Sequence, residues 1–248
     1  MSTQLAMVID ATKCIDCKAC MAACKIANHV PDGYWRNWIK PSAPDFTPGP
    51  RAGFAFQPGA CMHCDNPTCV SACPTGATFK DKTDGTVKID ASLCIGCGNC
   101  IPACPYGARF RNPVTHVADK CNYCPERRAA GLLPACVDTC PTKARVFGDI
   151  NDPESEAHVL LAEDKSRVVR LVNAETDTKP NMYYLGNPGP KAWPVKAEAP
   201  APMRAMIGIA PLLKAAVAAA GIGVIGLGIK QYLIDRKKPE NGKEGGHD

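Results

Sequence analysis

Four groups of cysteines constrain this chain more than any other feature of its sequence. The third group reads C-x2-C-x2-C-x3-C-P, from Cys94 to Pro105. Three thiols this close together can hold three corners of one iron–sulfur cube, while the longer last gap turns the fourth thiol toward a neighbouring cluster. Because three more groups of similar design surround it, the spacing predicts a protein built around iron–sulfur clusters.

The other groups keep the first and last gaps of this design and vary the middle gap. Group one has a middle gap of two residues and is followed by Lys25 instead of proline, group two has a gap of four, and group four a gap of eleven. These insertions lengthen a loop and leave all four thiols in place. The sixteen cysteines are Cys14, Cys17, Cys20 and Cys24; Cys61, Cys64, Cys69 and Cys73; Cys94, Cys97, Cys100 and Cys104; and Cys121, Cys124, Cys136 and Cys140.

A cysteine density this high also allows a disulfide framework or structural zinc sites. Disulfides need no fixed spacing, yet every group here begins with C-x2-C and ends with C-x3-C. Structural zinc prefers two close pairs that are far apart, not three ligands within seven residues. Clusters therefore explain the pattern best, with a zinc-bound interaction module as the alternative.

The formal charge of +5 could suggest a nucleic-acid partner. Four all-thiolate cubes at about −2 each would bring the loaded chain to about −3, so no nucleic acid is expected. Basic residues near the cysteines could offset cluster charge and tune the reduction potential, or could be ordinary solvated charges. They are Lys13, Lys18, Lys25, Arg109, Arg111, Lys120 and Lys143.

The distribution of cysteines divides the chain near residue 150, because none lies beyond residue 140. Residues 1–150 are expected to form the cluster domain, with a Pro/Gly-rich loop over 41–60. The neighbouring Trp35 and Trp38 suggest an ordered lid that packs over a cluster edge, or a docking surface. Residues 151–186 are expected to add a helix and strands, 187–204 a Pro-rich linker, 205–230 a transmembrane helix and 231–248 a polar tail.

Several short elements can be predicted within this division. A strand is expected at residues 8–10, a hairpin at 78–80 and 87–89 around Asp84-Gly85, and a helical turn or two ending at Gly131. A closing strand is expected at 145–147, a helix at about 153–163, and strands of a small added sheet at 167–172 and 182–185. His63 lies between two cysteines, and we interpret it as a supporting or surface residue more than as a metal ligand.

The apolar segment 205–229 carries one charge, Lys214, and is long enough to cross a bilayer with some tilt. The alternative is a buried helix at a soluble interface. Its G-x-G-x-x-G at 221–226 follows no strand, so we do not interpret it as a dinucleotide site.

The chain opens without a recognisable signal peptide. Basic residues after the segment favour a cytoplasmic C-terminus and clusters on the periplasmic, outer face by co-export with a partner; the alternative is a cytoplasmic cluster domain.

The motifs resemble one family. Cys-Met-His-Cys at 61–64, Cys-Ile-Gly-Cys-Gly-Asn-Cys at 94–100 and Pro-Ala-Cys-Val-Asp-Thr-Cys-Pro at 134–141 resemble the four-cluster subunits of the dimethyl sulfoxide reductase family. These are the electron-transfer subunits of molybdopterin oxidoreductases. The single C-terminal membrane helix is similar to that of the membrane-bound formate dehydrogenase iron–sulfur subunit.

The resemblance implies an α+β fold of two nested bacterial-ferredoxin-like 2[4Fe–4S] modules. Groups one and four form module one, groups two and three form module two, and the complete set of cysteines implies four [4Fe–4S] clusters. Within each module the last cysteine of a group joins the other group's trio. Cluster A would be held by Cys14, Cys17, Cys20 and Cys140; cluster B by Cys24, Cys121, Cys124 and Cys136; cluster C by Cys61, Cys64, Cys69 and Cys104; and cluster D by Cys73, Cys94, Cys97 and Cys100.

The expected function is that of an electron-transfer subunit, which is not an enzyme by itself. It would relay single electrons between a catalytic subunit of the molybdopterin type and a membrane subunit that binds quinone or haem, within a respiratory complex at the lipid membrane. The sequence shows no constellation of residues for substrate chemistry. Alternatives are the relay subunit of a hydrogenase or multihaem cytochrome complex, and a soluble polyferredoxin.

Overall fold

The computed structural model describes residues 3–41, 55–163, 165–172 and 176–186, which all belong to one unit of the chain, Met1–Lys196. Helices and strands in these residues are short, because the cysteine groups interrupt the chain with tight turns. They are, in chain order, β1 (Leu5–Asp10), α1 (Ala19–Ala27), β2 (Asn37–Pro41), β3 (Phe56–Ala60), α2 (Thr68–Ser71), β4 (Thr78–Lys80), β5 (Val87–Ile89), β6 (Phe110–Arg111), β7 (Ala118–Asp119), α3 (Pro125–Ala129), α4 (Ala135–Asp138), β8 (Arg145–Asp149), α5 (Glu156–Glu163), β9 (Val168–Arg170) and β10 (Met182–Leu185).

The predicted first strand, β1, lies at the centre of the main sheet. Its four middle residues are all buried, as expected for an apolar run covered on both faces. It pairs antiparallel with β8 and parallel with β10, and β9 completes the order β8-β1-β10-β9. The predicted closing strand and the predicted strand at 182–185 are therefore both present.

The strands expected as a separate added sheet belong to this main sheet instead. β9 is shorter than the expected 167–172, and α5 begins at Glu156, later than expected. The segment before α5 is a turn in which Asp152 accepts hydrogen bonds from the backbone N–H groups of Glu154 and Ser155, both at 3.0 Å. The helix begins only where this turn ends.

Three two-stranded hairpins separate the cysteine groups. β4 and β5 form the hairpin predicted around Asp84-Gly85, in which Gly85 has a φ of +68°. β6 pairs with β7, and β2 pairs with β3. The last pair corrects the expectation of a loop over 41–60, since β3 occupies its C-terminal end. Trp38 of β2 packs against the core, whereas Trp35 is 46% exposed.

The main core lies between the sheet and the cysteine groups. It joins apolar side chains of the sheet, such as Met7, Ile9 and Tyr184, to cysteines of groups one, two and four. No helix in this described part is long and apolar enough to span a membrane. The expected linker 187–204, transmembrane helix 205–230 and tail 231–248 lie outside the described residues.

Candidate iron–sulfur cluster sites

One backbone conformation recurs in all four C-x2-C loops. The residue immediately before the second cysteine has a positive φ in each: Asp16 (+57°), His63 (+45°), Gly96 (+65°) and Tyr123 (+59°). Left-handed residues of this kind turn successive backbone N–H groups into a concavity that favours anions. For residues other than glycine the conformation costs of order 1–3 kcal/mol, and such strain clusters at functional sites. The four loops are therefore built for one kind of ligand.

Module one contains a cavity at its first cysteine group. Three cysteines of group one and the last cysteine of group four line it together, namely Cys14, Cys17, Cys20 and Cys140. This is the set that the resemblance assigns to cluster A.

Module two contains an equivalent cavity at its own first group. The lining cysteines are Cys61, Cys64, Cys69 and Cys104, the set assigned to cluster C. Both cavities also contain the proline that follows the last cysteine, Pro141 or Pro105, and an arginine four residues further on. The two modules thus repeat one design.

All four cysteines of the set assigned to cluster B are buried. Burial, and then the proximity of Cys136 and Cys124, raise the pKa of the Cys24 thiol to about 12. Burial also raises the pKa of Cys121, followed by its proximity to Cys24 and Cys136. Cys24 and Cys121, whose ionisation is disfavoured by burial and by neighbouring thiols, need iron to exist as thiolates, which fits a cluster.

The set assigned to cluster D is the least enclosed. Cys94 and Cys100 lie in one apolar cluster with Cys69, whereas Cys97 is exposed and Cys73 is half-buried. Backbone N–H groups donate to two of these sulfurs, from Ala118 to Cys94 at 3.5 Å and from Thr78 to Cys73 at 3.4 Å. The place of Cys73 in this set rests on the resemblance.

None of the sixteen cysteines forms a disulfide. Among the described residues, no three His, Cys, Asp or Glu side chains are close enough together to hold a single metal ion. Instead, four cysteine thiols line a cavity in each of the two modules.

Most of the basic residues that were expected near the clusters are exposed. Lys13, Lys18, Arg111 and Lys143 face solvent. The Lys25 ammonium group donates to the Pro31 carbonyl at 2.6 Å.

Two of those basic residues are buried, and sequence reasoning missed a third buried cation. Arg109 is 4% exposed, Lys120 3% and Arg145 2%. The signal that could have revealed Arg145 is a repeat, C-P-x-x-A-R, which begins at Cys104 and again at Cys140.

His63 is not at the surface. It is fully buried and stacks on Tyr123 with ring centroids 3.9 Å apart. Its Nδ1 accepts a hydrogen bond from the Val87 backbone at 3.1 Å. Burial, and then the positive charges of Lys120 and Lys80, hold the pKa of His63 well below its usual value. The stack joins a C-x2-C loop of module two to one of module one through a neutral imidazole.

Comparison with known proteins agrees with this geometry. Residues 52–150 and residues 13–77 each match a family model described as a 4Fe-4S dicluster domain. The fold and the cysteine sites therefore define a ferredoxin-like protein with two dicluster domains.

Curated relatives narrow the class further. NrfC of Escherichia coli (strain K12) is 46% identical over 182 residues, which cover 72% of this chain and 79% of the relative. The thiosulfate reductase electron transfer subunit PhsB of Salmonella typhi is 45% identical over 64% of this chain and 83% of the relative. A polysulfide reductase chain of Wolinella succinogenes is 39% identical over 75% and 96%.

The chain belongs to the family of iron–sulfur subunits of molybdopterin oxidoreductases. It carries four [4Fe–4S] clusters, and it is an electron-transfer subunit of a respiratory reductase complex, not the catalytic subunit.

Proposed function

We propose that the chain conducts single electrons through its four clusters in the order A–B–C–D. The observation that carries this order is the burial of the cysteines. Only Cys17, in set A, and Cys97, in set D, are exposed, while all four thiols of set B are buried. Electrons would therefore enter and leave at A and D.

Contacts between neighbouring sets support the same order. Sets A and B meet where Cys136 lies within electrostatic range of Cys20. Sets B and C meet where Cys121 lies near Cys61. Sets C and D meet in the apolar cluster shared by Cys69 and Cys100. Each cluster would thus have its successor beside it.

Both proposed ends carry an apolar side chain suited to protein contact. Ile15 precedes Cys17 by two residues and is 61% exposed, and Ile95 precedes Cys97 by two residues and is 68% exposed. Contiguous exposed apolar groups mark protein-interaction sites, and Leu93, two residues before Ile95, is also 52% exposed. We propose that a molybdopterin-type catalytic subunit covers one end and a quinone- or haem-binding membrane subunit the other.

The membrane attachment belongs to the same proposal. Residues 205–230 would form a single-pass anchor after the linker 187–204, with 231–248 as a polar tail. The cluster domain, residues 1–150 with the extension 151–186, would lie at the outer face by co-export with a partner. The charge bias around the apolar segment supports this orientation.

The cluster order can be tested by electron paramagnetic resonance on the reduced full-length chain. A soluble lanthanide chelate added from solvent should speed the relaxation of two of the four cluster signals, those of A and D, and leave the other two nearly unchanged. Equal effects on all four signals would contradict the order, and an iron content well below about sixteen per chain would contradict the four-cluster assignment itself.

The partners can be tested by extracting the native complex in detergent. We expect a molybdenum-containing subunit and an integral membrane subunit to copurify with the chain. Recovery of the chain as a soluble monomer without detergent would refute the anchor and favour a free polyferredoxin.

A further inference from the structure

We propose that Arg109 and Arg145 are equivalent buried cations, one in each module, that raise the reduction potentials of the clusters beside them. This inference rests on the proposed assignment of cysteines to clusters. The cysteine spacing does not predict this feature, which is a positive charge held at the same place in both modules.

The two arginines occupy the same position in a repeated sequence. Each follows the last cysteine of its group by five residues in C-P-x-x-A-R. Each also stands at the start of a strand, because Arg145 opens β8 and Arg109 directly precedes β6. The turn after the cysteine therefore brings the side chain back toward the cluster cavity.

Arg145 lies between the cysteines of clusters A and B. It lines the cavity formed by the cysteines of set A. Burial would lower its pKa, but the proximity of Cys136 and Cys20, one from each set, raises it. Its Nη1 and Nη2 atoms are buried and have no hydrogen-bond partner in the described residues.

Arg109 has the same surroundings in module two. It lines the cavity formed by the cysteines of set C, and its pKa, which burial would lower, is raised by Cys69, Cys61 and then Cys100 of set D. Nη1 donates to the Thr78 hydroxyl at 3.0 Å. Nε and Nη2 are buried without a partner in this part of the structure.

Neither guanidinium has a carboxylate within the described parts of the chain to balance its charge. The ion pairs formed there involve other cations. An uncompensated buried charge is strongly destabilising, so each arginine needs an anion next to it. A cluster with its four thiolates is such an anion, and its sulfur atoms can accept the unpaired N–H groups.

The sign of the effect follows from electrostatics. When a cluster accepts one electron, its total charge with thiolates goes from about −2 to about −3. A buried cation stabilises the more negative state more, and low solvent screening preserves the difference. Removing the charge should therefore make the neighbouring clusters harder to reduce.

Arg109→Gln and Arg145→Gln test this in the full-length chain by redox titration monitored by electron paramagnetic resonance. Each variant should lower the equilibrium constant for reduction at least tenfold, which is about 59 mV for a one-electron couple. The shift should affect two of the four transitions, and a different two in each variant. The matched controls are Arg111→Gln and Lys143→Gln, each two residues away, exposed and with the same change of charge; they should shift the potentials far less.

Iron content separates the possible failures. Sixteen irons in wild type and variant with four unchanged potentials would overturn the role of the arginines and leave the cluster assignment standing. A wild-type chain short of iron would overturn the assignment. If a Gln variant fails to load, Arg109→Lys or Arg145→Lys decides: recovery of full iron supports a required charge, and failure of Gln and Lys alike shows a packing role and overturns the inference.

Discussion

At the scale of single residues, the four cluster loops adopt the same left-handed backbone conformation with different side chains. Group three uses glycine at both left-handed positions, Gly96 and Gly98, while group one uses Asp16 and Lys18 at the corresponding positions. In groups two and four the position is taken by His63 and Tyr123. These two rings stack on each other, so the strain they carry is offset by contact between the modules.

Two glycines of group three allow this conformational requirement to be measured. A Cβ at residue 96 would lie 2.2 Å from the His116 carbonyl oxygen, whereas at residue 98 the nearest atom, Cδ1 of Ile101, is 3.7 Å away. We expect Gly98→Ala to cost about 1 kcal/mol, from its backbone conformation alone. Gly96→Ala should cost clearly more and release cluster D, which iron analysis and chemical denaturation would detect. Equal costs for the two variants would contradict the account.

Residue identity also limits what could be predicted from the sequence. The cysteine positions can be recognised from their spacing. The structure brings three of the four expected sets together: two line cavities, and in the third the thiols lie close enough to affect one another's ionisation. Arg145 and Tyr123 did not stand out, because a single arginine or tyrosine carries no spacing signal. Only a comparison of Arg145 with Arg109, its counterpart in the other module, shows that it repeats.

At the scale of helices and strands, local sequence patterns predicted where each strand lies better than they predicted which strands pair. The hairpin β4–β5 follows from alternation around Asp84-Gly85, but the parallel pairing of β1 with β10 joins segments too far apart for any local pattern to show. β3 was not predicted from the sequence because it contains Pro58 and Gly59, residues that usually weaken a strand. Here Gly59 makes room for the Trp38 ring, which a Cβ would approach to 2.5 Å.

The end of α1 supplies a further test at this scale. Asn28 caps the helix, and its Nδ2 donates to the Cys124 sulfur at 3.5 Å and lies 3.7 Å from the Cys24 sulfur. Both belong to the proposed cluster B. Hydrogen bonds to sulfur raise the reduction potential, and one to a charged group contributes about 1.5 kcal/mol.

Asn28→Ala should therefore lower the potential of one cluster by about 60 mV, the equivalent of 1.4 kcal/mol for one electron. Redox titration should show one transition moving and three unchanged. Ile26→Ala is the control, because Ile26 lies on the same helix and is 76% exposed. A shift of equal size in both variants would show a general loosening of the helix instead of a lost hydrogen bond.

At the scale of the whole molecule, cysteines form part of the hydrophobic core itself. Five of the sixteen buried residues in the main core cluster are cysteines, and the longest described helix has nine residues. Helices this short and isolated two-stranded hairpins are marginal in water. The clusters must therefore contribute to the folding free energy, as structural metals do in other small domains.

Removal of the iron should consequently unfold the domain. We expect the full-length chain, stripped anaerobically by oxidant and chelator, to lose its near-ultraviolet circular dichroism and its cooperative thermal transition, and to regain both when iron, sulfide and a thiol reductant are added. In the unfolded, stripped chain the cysteine thiols return to an ordinary pKa of about 8.5, so most of them are protonated at pH 7. Because cluster assembly must displace these protons, reassembly should become more complete as the pH rises from about 7 to about 9. A stripped chain that keeps its transition midpoint would show that the polypeptide folds without its clusters.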